Sequence, residues 1–266
     1  MNKNIILTVL DTDYPAWFSF FRNLYIRSQL PSDASFVTFR HVPAEFTSKD
    51  STVHSEILKR AIQCFSDDCY ILLLDVDAYP VSSEAIQTVF GHAREYKLVG
   101  NMQRTNCIEN NGHVFIAPSF MCFQVATIRA ASRTMDIFSP SYRGDVLEEL
   151  TYHLEENGSR ILGYEPMHCN RPIWRLHFGH NVYGIATTFG TDGQYLSYHH
   201  FCSRFLVSQL QFVLRTFFLY LGISPKRLNI ISKKLFAASR QEWKQMLIAL
   251  YVRTMLEIRY ALGRHM

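Results

Sequence analysis

The 266 residues carry 27 Lys/Arg and 23 Asp/Glu, a net charge of +4, with 48% hydrophobic and 19% charged residues. That balance excludes a disordered or fibrous chain, and the length suffices to bury a full core. Six cysteines, at 64, 69, 107, 122, 169 and 202, form no CxxC pair or zinc-type spacing, and no stretch reaches the roughly 18 uncharged apolar residues of a membrane span.

Ile5–Leu10 is apolar apart from Thr8 and stops at Asp11 and Asp13, too short for an export signal. Reduced thiols and a cytoplasmic location are therefore expected, and the Asn157-Gly158-Ser159 sequon is read as coincidental. The same run reads as a buried strand whose polar end opens on a site. Tyr14–Ser28 has helical periodicity, with Phe18, Phe21 and Tyr25 on one face, and Ser35–Arg40 reads as a second strand. Ser51–Phe65 repeats Ile57, Leu58, Ala61, Ile62 and Phe65, an amphipathic helix. Tyr70–Leu74 is a wholly apolar pentamer, the pattern of a central strand in a covered sheet. Ser82 or Ser83 caps a helix to about His92, and Lys97–Gly100 is another short strand. This alternation predicts a mostly parallel sheet with helices on both faces, with ligands at the carboxyl ends of its strands.

Beyond residue 100 the pattern changes. His113–Ala117 and Met121–Val125 read as strands around Pro118-Ser119, Asp145–Asn157 as a helix stopped by Gly158, and Arg160–Tyr164 as a strand. Glycines at 179, 184, 190 and 193 suggest loops, and with them a mobile flap. From Arg204 onward eleven Lys/Arg face only Glu242 and Glu257, a charge of +9, whereas the first 203 residues total −5. Two units are expected, 1–203 and a basic helical tail over 204–266. The apolar face of that tail, from Leu206 through Leu221, suits either packing on the first unit or an anionic membrane surface. No helix-turn-helix, zinc or RNA-binding motif accompanies the charge, so no nucleic-acid partner is expected.

The chemistry concentrates at Leu74-Asp75-Val76-Asp77-Ala78-Tyr79-Pro80. Two carboxylates one residue apart, where Pro80 ends the ladder, can turn toward one hard cation of the Mg²⁺ or Mn²⁺ type. A metal so placed neutralises a leaving diphosphate. Acidic residues at the start of the later helix, Asp145, Glu148 and Glu149, are rival general bases, although a helix N-terminus favours acids in any case.

"LDVDAYPV" resembles the Asp-x-Asp region of GT-A-fold glycosyltransferases, including bacterial enzymes of polysaccharide and lipid-linked glycan synthesis; the likeness covers roughly residues 4–202 in layout and is specific over Asp75–Pro80. It implies an α/β, GT-A-like, Rossmann-type mixed but mostly parallel sheet flanked by helices, with a C-terminal helical appendage. Residues 1–101 would hold the nucleotide-sugar and 102–203 the acceptor. Asp77 would ligate the metal directly, Asp75 would lie nearer the ribose or the metal's waters, and Thr8–Asp11 would border base and ribose. Such enzymes often complete the metal site with a histidine late in the domain; His200 is first by position, then His199 or His180. A further partial likeness, to the acidic cluster and R-L-x-x-x-G pattern of inverting members, falls on 144–158, with Leu147 standing about where the base would be. Arg204 or Lys59 would meet phosphate. The resemblance implies sugar transfer from a UDP- or GDP-sugar to a hydroxyl of a glycan or lipid-linked acceptor, with inversion; the basic, aromatic tail would suit such an enzyme to the inner face of a membrane. The alternatives are an inactive membrane-docked scaffold, a phosphotransferase or phosphatase built on Asp-x-Asp, and a nucleotidyltransferase.

Overall fold

The computed structural model describes residues 3–9, 16–39, 51–105, 113–139, 145–177, 180–201 and 206–235. In chain order the elements are β1 (Asn4–Val9), α1 (Ala16–Ser28), β2 (Ala34–Phe39), α2 (Ser51–Gln63), β3 (Tyr70–Leu74), β4 (Ala78–Pro80), α3 (Ser83–Glu95), β5 (Leu98–Arg104), β6 (Val114–Gln124) and α4 (Val125–Ser132). There follow α5 (Glu148–Glu156), β7 (Ile161–His177), β8 (His180–Thr191), β9 (Gln194–His199), α6 (Leu206–Tyr220) and α7 (Pro225–Leu235).

All nine strands join one sheet in the order β2-β1-β3-β6-β5-β7-β8-β9-β4, strongly curled into a half-barrel. The expected mostly parallel, Rossmann-type sheet is overturned: β1 runs parallel to β2 and β3, and β5 parallel to β7, but the other five pairings are antiparallel. Helical crossovers serve only the first strands. Later in the chain β7, β8 and β9 follow one another with only two residues between successive strands, too few for a crossover, so their pairing is antiparallel.

The central strands are buried on both faces, which explains their unbroken apolar runs. Ile6, Leu72 and Leu74 face one core with Phe18, Ile86 and Phe212. Ile5, Leu7, Ile71 and Leu73 face the other with Ile57, Leu58 and Leu150. Ser82 caps α3, its hydroxyl accepting the Ala85 N–H at 3.1 Å.

Three local differences from the sequence reading have physical causes. The two strands expected around Pro118 are one strand, β6. Its residues 117–119 pair with neither neighbour, since Pro118 offers no N–H and β5 bulges between Gly100 and Met102. The expected strand at 160–164 continues to His177. It pairs first with β5 and then with β8, and its register slips at Pro166 and Pro172. Of the glycines expected in loops, Gly193 lies in the turn after β8 and Gly179 outside the described residues, but Gly184 and Gly190 are strand residues at close backbone approaches: an added Cβ would stand 2.3 Å from the Arg171 carbonyl and 1.9 Å from that of Gln194. Of the tail, α6 packs on α1 and puts Phe212 in the first core, its ring tilted against Phe18 with centroids 4.8 Å apart. No helix among the described residues is long and apolar enough to cross a membrane.

Candidate metal centre

The apolar β3 ends at Leu74, and the chain turns at once: the Ala78 N–H donates to the Asp75 carbonyl at 3.2 Å, and the Asp75 N–H to the Ser119 carbonyl at 3.1 Å. Residues 75–77 thus leave the sheet beside the unpaired part of β6. Beyond them, β4 pairs with β9 in a register that sets Ala78 opposite His199, and the His200 N–H donates to the Asp77 carbonyl at 3.0 Å. Strand pairing therefore carries an imidazole to the acidic turn. His199 Nε2 stands 3.2 Å from Asp77 Oδ1, and potential ligand atoms of Asp75, Asp77 and His199 all lie within 4.8 Å of one another.

This donor set fits a divalent cation. Two carboxylate oxygens and one imidazole suit Mn²⁺, accept Mg²⁺ less fully, and leave coordination positions for phosphate oxygens. Buried His199 Nδ1 has no hydrogen-bond partner, an open valence at a site otherwise tightly bonded.

Arg22, wholly buried on α1, supplies a fixed positive charge behind the turn. Its Nη1 donates to the Asp75 carbonyl at 2.8 Å, while Nε and Nη2 are held by Asn23 Oδ1 at 3.2 and 2.8 Å. Burial lowers its pKa to about 10, and the charges of Asp77 and Asp75 work against that fall. Arg22 went unnoticed in the sequence, yet Phe18, Arg22 and Tyr25 repeat at one-turn spacing: a cation on the buried face of a helix was the signal.

A cavity of about 190 Å³ opens onto Asp75 and His199, bounded by Gln103, Ser119 and Asp145 on one side and by Trp174, Tyr183 and Phe201 on the other. It is smaller than the roughly 300–1,000 Å³ of sites for drug-sized ligands, and the right scale for an ion with phosphate oxygens. Ala117–Ser119, which β5 and β3 leave unpaired, line part of it. The aromatic wall is fixed: Tyr183 accepts the Arg104 N–H at 3.0 Å and donates to the Arg104 carbonyl at 3.2 Å. Trp174 stacks on Tyr183 at 5.5 Å, and Phe201 covers His199 at 3.7 Å. Two non-glycine residues here take left-handed backbone, Phe201 (φ 53°) and Ala186 (φ 60°), whose N–H donates to the His200 carbonyl at 3.0 Å. Each costs on the order of 1–3 kcal/mol, and such strain tends to gather at functional sites.

The remaining sequence candidates fall as follows. His200 is buried behind the site, with Nδ1 2.7 Å from the Tyr198 hydroxyl, and is not grouped with the carboxylates. Among the acids at 145–149, Asp145, just before α5, lines the cavity, whereas Glu148 is fully buried between His113 Nδ1 at 3.0 Å and the Asp145 N–H at 3.0 Å. Glu149 lies on α5 and is half-buried, not on the cavity wall. Leu147 is buried with φ 62°. Thr8, opposite Leu74 in the ladder, has a buried hydroxyl without a partner, and its neighbour Thr38 shares that condition. Lys59 is half-buried on α2. Asp11 and Arg204 lie outside the described residues, as does the side chain of His180.

No family model matches the chain, and no curated protein matches it. Among solved structures, a chain described as A197 from STIV aligns over 60% of this chain and 80% of its own, at 9% identity and TM-score 0.34. A chain described as a glucose-1-phosphate thymidylyltransferase from Bacillus anthracis, in complex with a sucrose, aligns over 90% and 98%, at 10% identity and TM-score 0.40. At such values both fold and activity rest on this chain's own residues.

Proposed function

We propose that the protein is a metal-dependent glycosyltransferase that moves a sugar from a nucleotide-sugar, UDP- or GDP-linked, to a hydroxyl of a glycan or lipid-linked saccharide. The observation that carries the reading is the grouping of Asp75, Asp77 and His199, of which Asp75 and His199 open on a cavity that Asp145 and an aromatic wall also line. Mn²⁺ or Mg²⁺ on that triad would neutralise charge developing on the departing diphosphate. The resemblance of the Asp75–Pro80 stretch to glycosyltransferases points the same way. A phosphotransferase would carry its Asp-x-Asp on the first strand in the chain, whereas here it follows β3.

In this proposal Asp145 is the base, because it is the acid of the 145–149 cluster on the cavity wall. Its carboxylate takes the proton as the acceptor oxygen bonds to the anomeric carbon and the bond to the diphosphate breaks, so the sugar inverts in one displacement. Trp174 and Phe201 offer flat apolar faces to the sugar ring, and Arg22 holds the Asp75 carbonyl while the metal and diphosphate come and go. The unpartnered Thr8 hydroxyl suits a polar group of the nucleoside. Residues 1–203 form the catalytic unit of this proposal and 204–266 its basic appendage, at the cytoplasmic side of a membrane.

The test is nucleotide release from a panel of UDP-, GDP-, CMP- and dTDP-sugars with Mn²⁺ or Mg²⁺, comparing wild type with Asp77→Asn, with and without chelator. Release of one nucleotide, lost on chelation and in the variant, is the expected outcome. If no donor is cleaved and none raises the melting temperature with metal, the proposal fails.

A further inference from the structure

Ten large hydrophobic side chains are exposed among the described residues, and eight of them lie on or just after three helices. Phe20 and Leu24 form a one-turn pair on α1; Leu210, Leu214 and Phe217 continue through Leu221 at spacings of four, three and four along α6. Tyr220 and Ile230 extend the surface across the turn to α7, and exposures run from 40 to 60%. These residues are not needed to fill the core: Phe18, Phe212, Leu219 and Leu228 already do so from the opposite faces. The three helices pack in sequence, α1 on α6 and α6 on α7, and exposed apolar stripes on such adjoining helices mark a docking face.

Charge identifies its partner. The sequences of α1, α6 and α7 contain no Asp or Glu, in a chain with 23 of them. Exposed Arg27 lies in the last turn of α1, and exposed Lys226 and Arg227 stand at the start of α7, a few residues after Tyr220 and Leu221 in the chain. Long cations bordering an apolar, aromatic face are placed to hold their stems in the acyl boundary and their charges among lipid phosphates. A second copy of this face would set like charges against each other, and protein interfaces are poor in lysine at their centres. Nucleic acid would leave the leucine and phenylalanine stripe with nothing to contact.

We propose that α1, α6 and the start of α7 dock the protein on an anionic bilayer, the apolar stripes entering the interface and Arg27, Lys226 and Arg227 meeting lipid headgroups. The surface is distinct from the metal-site cavity. Its residues are absent from the cavity lining, so docking can succeed or fail whatever the fate of the transferase proposal. The test is co-sedimentation of the full chain with phosphatidylserine-containing vesicles and with pure phosphatidylcholine vesicles. The expected result is binding to the anionic vesicles, lost in Leu214→Glu/Phe217→Glu and in the milder Leu214→Ser/Phe217→Ser. Binding should weaken about fivefold for each of Lys226→Gln and Arg227→Gln, and as salt rises. Melting temperature and Mn²⁺ binding should stay at wild-type values in these variants. Failure to bind anionic vesicles overturns the proposal, as does wild-type binding by the Leu214/Phe217 variants. So would a wild-type dimer in sedimentation velocity that the same substitutions dissociate, because the occupant would then be a second copy.

Discussion

Among the described residues, two carboxylate–imidazole pairs are nearly alike in distance and opposite in design. Asp77 and His199 are 3.2 Å apart, Glu148 and His113 3.0 Å. Around the second pair the local bonding is closed: Glu148 also accepts the Asp145 N–H, His113 reaches Glu155 at 3.3 Å, and the ring stacks on Tyr152 at 3.6 Å. The first pair gathers a second carboxylate, meets a cavity through His199 and that carboxylate, Asp75, and keeps a buried ring nitrogen without a partner. The lesson is that a short ion pair by itself says little. What separates a brace from a site is whether the valences around it are used up.

That contrast can be broken in four ways, taken from the largest effect to the smallest. Asp77→Asn should lower Mn²⁺ affinity, read by calorimetry, by more than the roughly hundredfold that an outer-sphere change costs. Retention of most of that affinity would remove the first pair from metal binding. Glu148→Ala should leave Mn²⁺ affinity within about twofold and cost about 3 kcal/mol of stability by stranding His113, a fall in melting temperature of about 6–12 °C. A metal defect without a stability defect would reverse the two roles. His199→Ala should weaken Mn²⁺ about tenfold and Mg²⁺ less, because imidazole suits the softer ion; equal losses would argue against direct ligation. Arg22→Met should tighten Mn²⁺ by about threefold, since a fixed positive charge beside two carboxylates competes with the cation. If Arg22 serves packing alone, the variant will lose metal affinity together with stability.

Much of the first region was legible. The apolar pentamer Tyr70–Leu74 became a strand with those bounds, and the two aspartates lie where it ends. The imidazole was harder for a geometric reason. Neighbouring residues leaving a strand point to opposite sides, so choosing between His199 and His200 requires the register of β9 on β4, which no local pattern encodes. The sheet misled for a related cause. Alternating strands and helices are visible up to β5, but Gly184 and Gly190 resemble loop residues until the neighbouring backbone that excludes a side chain is known. Glu148 had the pattern of a helix-start acid and of a base alike, and its partner His113 lies 35 residues away. Long-range pairing decided each of these points.

The same long-range pairing has a consequence during synthesis. Asp77 and His199 are 122 residues apart in sequence, and the β4–β9 ladder that unites them joins segments far apart in the chain. Behind it, Tyr198 is stacked on Tyr79 at 4.9 Å and covered by Arg215 of α6 at 4.2 Å. A nascent chain displays its acidic turn long before the ribosome releases the strand that completes the triad. A cation that needs all three groups of the triad would therefore be captured late in maturation, and a protein loaded with it would be one whose β4–β9 ladder has closed.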